Sequence, residues 1–378
     1  MVDSPADAPP GDAPAAGLLA AARAFFPEMT DARPLAGRGH LLLAETPAGR
    51  KVVRRWPAEA GDAWVGVTLA LLGRLASAGM PVPRPDALPD GAAVFRLGRE
   101  RYDARSWLPG APVGRAAVAY PDPDRWLGLP VALPERAFAD AIRVLARLHQ
   151  ETAAPADPVA SARPAAPLAA LPAAVQTAWM ETRGALRPIA PRTPAVQRWL
   201  AAGERLLPAA EAALAAADPS LLAASAVVHP NAWPGHVLLG EGDEVTGLLG
   251  WERAVFGTPL LDLAQAIVRL RGWSVAAVEE MVAAQGDVAP LAPELRRLLP
   301  AVAGLDLVAT TGRLLAATYA PGPGAPAPPS ALRQAAARFV EAMENAASSL
   351  AQAEAKGGSN RRPRPRRRPA QGPKGRRR

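Results

Sequence analysis

One stretch, residues 227–264, concentrates side chains whose types and spacing could do chemistry. His229, Asn231 and His236 share a polar loop, followed by Gly250-Trp251-Glu252 and then Asp262. An imidazole can carry a proton near neutral pH and suits transition metals. Asn231 can orient a hydroxyl but cannot accept its proton, because an amide oxygen is not a base at pH 7. Glu252 and Asp243 are carboxylates that could act as a base. Glycine at 250 offers a hard cation no side-chain oxygen.

The elements that must position these groups are legible around them. Val227 and Val228 begin a short apolar strand, and residues 229–235 are a polar loop. Residues 237–239 and 245–249 are β-rich runs about the turn signal Gly-Glu-Gly-Asp, which predicts a hairpin. Thr258-Pro259 reads as an N-cap with proline at the first helical position, and the apolar run continues through Leu263 and Ile267.

Upstream, residues 41–45 and 51–56 read as two strands turning at 47–49, with Gly37 and Gly39 just before them. Two glycines at that spacing let backbone amides approach a phosphate, and an ordinary tight turn accounts for them equally well. Strand alternation sends Arg54 and Arg55 to opposite faces, so only one can face a cleft. Residues 63–79 predict a helix with the stripe Val67, Leu71, Leu72 and Leu75, stopped by Gly79. An antiparallel pair at 94–97 and 102–107 turns at Gly98 and ends at Leu108-Pro109-Gly110. Residues 135–150 then predict a helix with Phe138, Ile142, Leu145 and Leu148 at core spacing and His149 as a packed or capping residue. The Ala/Pro-rich stretch 153–172 is too proline-dense for a regular element. Further helices are predicted at 173–185, 194–217, 258–272, 275–284, 293–318 and 329–355.

Composition excludes more than it assigns. Without cysteine the chain has no disulfide, thiolate zinc site or cysteine nucleophile. The net charge of +8 belongs to residues 361–378, whose nine Arg and one Lys leave −2 for the rest, so the body needs no nucleic-acid explanation. Only three lysines occur among 43 basic residues, the bias of a GC-rich genome. The first residues lack the basic start of a signal peptide, and no run approaches the ~18 apolar residues of a membrane span, so a cytoplasmic protein is expected.

Taken together, PLAGRGH, GRKVVRRW, LLGRLASAGMPVPRP, LARLH, VVHPNAWPGHVLL and VTGLLGWERAVFGTPLLDLA resemble, in order, the motifs of the aminoglycoside phosphotransferase and choline kinase-like superfamily. The likeness covers roughly residues 34–320. It implies an α+β, bilobal protein kinase-like fold with a small β-rich N-lobe at 17–110 and a larger helical C-lobe at 111–355. Residues 1–16 and the Arg-rich tail 356–378 are expected to be disordered.

What the resemblance implies about chemistry is at odds with the residues present. The family's loop reads His-Gly-Asp with a following Asn, where the Asp serves the acceptor hydroxyl and the Asn holds magnesium. Here His229-Pro230-Asn231 and His236 occupy those places. The family's Ile-Asp-Trp-Glu appears as Leu249-Gly250-Trp251-Glu252, with Gly250 at the main metal ligand. Gly37, Gly39 and Arg54 match the nucleotide-side positions, and Thr68 stands where a helix glutamate would pair with the strand's basic residue. His229 and Asp262 match loop-organising and anchoring residues.

The implied function is a pseudokinase that binds a nucleotide such as ATP, a small molecule or a protein with little or no phosphoryl transfer, and no magnesium binding is expected. One alternative is an active, rewired ATP-dependent phosphotransferase in which Glu252 or Asp243 supplies the carboxylate. A second is a nucleic-acid or anionic-surface binder acting through residues 361–378.

Overall fold

The computed structural model describes residues 13–35, 39–113, 117–118, 127–128, 132–153, 157–230, 232–320 and 330–359. Gly37, Asn231 and the segment 361–378 lie outside them.

The N-terminal part is a six-stranded antiparallel sheet. It comprises β1 (Asp31–Pro34), β2 (Leu41–Thr46), β3 (Gly49–Arg55), β4 (Pro85–Asp86), β5 (Phe95–Leu97) and β6 (Glu100–Ser106), ordered β1-β2-β3-β6-β4 with β5 on β6. Period-2 alternation divides its faces. Leu42, Ala44, Val53, Tyr102 and Ala104 bury against Leu18, Ala21, Ala22, Phe25 and Phe26 of α1 (Ala13–Phe25). Arg54 therefore takes the opposite face. The β2–β3 turn uses Gly49 at φ +102°, a left-handed conformation that glycine adopts without steric cost. The helix α2 (Asp62–Ser77) buries Val65, Leu69, Leu72 and Leu75 and stops at Gly79, φ +72°.

After β7 (Ala111–Pro112) and the small pair β8 (Ala117–Val118) and β9 (Leu127–Gly128), the chain is mostly helical. It contains α3 (Glu135–Glu151), α4 (Pro158–Ala162), α5 (Leu171–Leu186), α6 (Pro194–Ala215) and α7 (Pro219–Leu222). Three short strands follow, β10 (Ala226–Val228), β11 (Val237–Leu239) and β12 (Val245–Leu248), and then β13 (Val255–Gly257), which pairs with β10. The β11–β12 hairpin takes β7 as a third strand. The remaining helices are α8 (Pro259–Ala266), extended by a π turn at Ile267–Arg271, α9 (Val275–Gly286), α10 (Pro293–Tyr319) and α11 (Ser330–Ser359). Thr258 caps α8 by accepting the Leu260 amide.

Several expectations are corrected. Helix α1 begins at Ala13, inside the 1–16 segment expected to lack structure, because its apolar face has a sheet to cover. Helix α11 runs through Ser359, past the start of the expected 356–378 tail. The 153–172 stretch holds α4, where Asp157 caps the helix and Pro158 sits at its first position, the one place a helix tolerates proline freely. Helix α10 is long and apolar enough to cross a membrane by length and composition, against the expectation that no run is. It is packed as a core helix among α5, α6, α8 and α11, and 78% of its apolar window is buried.

Candidate functional site

The loop after β10 is held by buried charge. Asp262, on the first turn of α8 and fully buried, accepts the His229 backbone N–H at 2.6 Å, and His149 Nε2 lies 3.1 Å from the same oxygen. Burying a carboxylate is costly unless donors meet it, and here the His229 amide meets one of the two oxygens. The His229 ring is fully buried and packs edge-on to Trp251, 4.7 Å between centroids. Burial pushes the His229 imidazole below its ordinary pKa, and the nearby Asp262 and Glu252 charges offset this only in part. Trp251 donates to the Leu248 carbonyl at 2.6 Å, fixing the turn that follows β12.

Arg269, in the π turn after α8, braces the loop from below. It pairs with Asp306 of α10 at 2.7 Å, donates to the Pro230 carbonyl at 2.8 Å and lies over the Trp233 ring at 4.8 Å. Asp262 and Arg269 stand seven residues apart, two turns of helix, as the only charged residues of a segment that is apolar but for Gln265. That spacing is the signal by which sequence reasoning could have found Arg269.

Glu252 joins the sheet to the helical part. Its Oε2 accepts Arg54 Nη1 of β3 at 2.9 Å, across 198 residues of sequence. Its carbonyl accepts Trp64 Nε1 of α2 at 3.1 Å and the Arg163 guanidinium. Arg163 stacks over Trp64 at 4.1 Å, while Arg54 lies over Trp56 at 4.9 Å. Burial acts to raise the Glu252 carboxyl, but Arg54 and His236 outweigh it and hold it well below the usual carboxylate range.

Among the predicted site residues, Arg54 faces the helical part, whereas Arg55 pairs with Glu100 at the surface. Thr68 is buried and bonds back to the Trp64 carbonyl at 2.9 Å, so Arg54 has Glu252 as its partner and no acid from α2. Glu252 lies in a 3₁₀ turn, Trp251–Arg253, where a strand was expected, and its side chain still reaches Arg54. Gly250 precedes that turn at φ +87°, in the left-handed region. Asp243 sits at the tip of the β11–β12 hairpin, roughly three residues or ~10 Å of strand from the end that carries His236 and Gly250. It is corrected as a candidate carboxylate for this site. Gly39 has no positive φ, and a Cβ there would meet nothing within 4 Å, so the fold does not itself demand glycine. Sequence reasoning missed Trp64 and Arg163, whose shared target is a backbone carbonyl that no pattern marks.

These residues do not fit a magnesium ion. Gly250 brings no oxygen, Glu252 is committed to Arg54, and His236 offers an imidazole where Mg²⁺ selects oxygen. Among the described residues, no three His, Asp or Glu side chains converge as a metal set.

A β-sheet joined to a helical part through a strand–loop–hairpin–capped helix defines the kinase-like class. Residues 32–300 match the phosphotransferase enzyme family, and the chain belongs to it. Solved structures agree on the fold. An aminoglycoside phosphotransferase from Alicyclobacillus acidocaldarius is similar at TM-score 0.60 and 15% identity, covering 94% of this chain and 98% of that one. A spectinomycin phosphotransferase solved with ADP and spectinomycin is similar at TM-score 0.58 and 12% identity, covering 92% and 100%. A microcompartment-associated aminopropanol kinase is similar at 0.57 and 14%, covering 91% and 98%. A search of curated protein sequences gives no match.

Proposed function

We propose that this protein is a pseudokinase of the phosphotransferase family, a kinase-like fold that binds its ligand with little or no phosphoryl transfer. The observation that carries this reading is Gly250, which stands at the family's main metal-ligand position and brings no side-chain oxygen. By resemblance, Arg54 is the cation that would meet a nucleotide's phosphates, and here its charge is already met by a carboxylate at 2.9 Å. A carboxylate beside this cation does not by itself exclude a phosphate, since the family pattern pairs the same basic residue with a helix glutamate; here Glu252 takes that partner's place. Phosphoryl transfer depends on neutralising charge on the transferred group. With glycine at 250 and an amide at 231, the chain supplies neither the metal ligand nor the base of the family pattern.

A nucleotide remains a reasonable ligand class, since the spectinomycin phosphotransferase relative was solved with ADP. The rewired-transferase alternative needs the Glu252 carboxylate to act as base, and its low pKa and its engagement by Arg54 make it a poor one.

The test is Mg²⁺-dependent ATP binding by the wild type beside an Asn231→Asp, Gly250→Asp double variant. Aspartate is among the residues that tolerate left-handed φ at position 250. The wild type is expected to bind ATP weakly and without metal dependence, and the variant to gain metal-dependent binding. Tight Mg²⁺-dependent binding, or turnover, by the wild type would overturn the reading.

A further inference from the structure

Arg54 and Asp103 face each other across the sheet. They are direct partners in the antiparallel register of β3 and β6, and side chains so paired leave the same face with Cβ atoms about 4.5–5.5 Å apart. Alternation puts Trp56 and Arg105 on that face as well, each two residues along from one member of the pair. The four side chains close over one another. Trp56 is buried, and both guanidiniums lie against its ring, Arg54 at 4.9 Å and Arg105 at 5.6 Å from the centroid. Asp103 is fully buried.

Only part of this cluster is satisfied. Arg105 Nε donates to Asp103 Oδ2, and Arg54 Nη1 donates to Glu252 Oε2 at 2.9 Å. Asp103 Oδ1 accepts no hydrogen bond from the described residues and Arg54 Nε donates none, although both atoms are shut off from solvent. Leaving a buried donor or acceptor unmatched forfeits its hydration with no return. A carboxylate oxygen without a donor and a guanidinium N–H without an acceptor, on facing residues, fit a second arrangement in which each meets the other.

We propose that Arg54 is a two-position latch. In one position it grips Glu252, and when the Glu252 turn draws away it turns back onto Asp103. The two partners differ in what they join. Glu252 lies in the turn after β12 and ties the sheet to the helical part, whereas Asp103 sits on the strand beside Arg54 and travels with it. An arginine only 11% exposed is strongly disfavoured without a counter-charge. With Asp103 as the second partner, the sheet can part from the Glu252 turn without stranding that charge. Thr68 explains why the sheet supplies the acid, since α2 offers there only a hydroxyl bonded to its own backbone. The latch involves neither nucleotide nor metal and is independent of the pseudokinase reading.

The test is a double-mutant cycle on the full chain, Arg54→Gln with Asp103→Asn, measured by urea unfolding in the wild-type and in the Glu252→Gln background. Replacing Asp103 also disturbs Arg105, but that loss is common to both arms of each cycle and cancels. With Glu252 present, Arg54 is held away, and the coupling should alter the unfolding equilibrium constant by about threefold or less. In the Glu252→Gln background it should reach at least about tenfold, the size of a charge-assisted hydrogen bond. Equal coupling in the two backgrounds, which a purely structural Asp103 gives, overturns the latch. Should Asp103→Asn fail to fold, nitrogen-edited NMR reads the same step without it. The Arg54 Nε–H resonance, assigned by its absence in Arg54→Lys, should move downfield in Glu252→Gln as it gains a carboxylate acceptor. An unmoved resonance overturns the latch as well.

Discussion

His229 is the most informative single residue, because its backbone and its ring have separate tasks. The backbone N–H is anchored by Asp262, and the ring is sealed against Trp251 with its pKa pushed down by burial. A base whose folded pKa lies below its unfolded value of ~6.5 contributes stability fully present above that value and lost as pH falls through the folded pKa. The free energy of urea unfolding should therefore fall between pH 7.5 and 5.5, and the fall should be shallower in His229→Gln. Identical slopes would mean that His229 does not titrate on unfolding. At this scale the sequence was a good guide where a residue's type is the message: the buried Asp262 holds the loop backbone, and Arg54 rather than Arg55 faces the helical part. It was a poor one for Arg163, whose meaning depends on what surrounds it in space. Glu252 falls between, since its reach toward the cleft was anticipated from a strand that proved to be a turn.

Among elements, the packing of α5, α6 and α10 turns on glycine for a reason of space and not of backbone conformation. A Cβ on Gly312 of α10 would lie 2.9 Å from Trp199 and 3.2 Å from Thr182, and one on Gly203 of α6 would lie 2.6 Å from Trp179 Nε1. Helix propensity alone favours alanine over glycine by about 1 kcal/mol, but overpacking a core costs about 1–3 kcal/mol. The clash wins where the neighbour is a fully buried indole. Gly312→Ala is expected to destabilise the protein by roughly 1–2 kcal/mol net, whereas Gly184→Ala, with nothing within 4 Å on α5, should stabilise it by about 0.5–1 kcal/mol. Chemical denaturation of the two variants checks both signs. The long helices were legible because apolar periodicity persists over many turns. Strand β1 was not, because Asp-Ala-Arg-Pro carries no β signal and exists as a strand only through its pairing with β2. The π turn at Ile267–Arg271 was equally hidden, since it alters hydrogen bonding without altering the apolar pattern.

For the whole molecule, Glu252 is the point at which sheet and helices grip each other. One turn receives Arg54 from β3, Trp64 from α2 and Arg163 from the segment after α4. Two of these contacts end on the backbone carbonyl, so any residue at 252 retains them, and only the Arg54 contact depends on the carboxylate. The two side chains are 11% and 19% exposed, which places the pair between a surface bridge of less than about 1 kcal/mol and a buried one whose disruption costs about 3–5 kcal/mol. A double-mutant cycle with Arg54→Gln and Glu252→Gln should therefore give a coupling energy of about 1–2 kcal/mol, changing little with added salt because little of the pair meets solvent. Since the Glu252 pKa is depressed, the coupling should be fully present above pH ~4.3, the unfolded value, and should decline as pH falls through the folded one. Single variants that add within about 0.5 kcal/mol would show that the carboxylate is incidental and that the carbonyl contacts alone hold the two parts together.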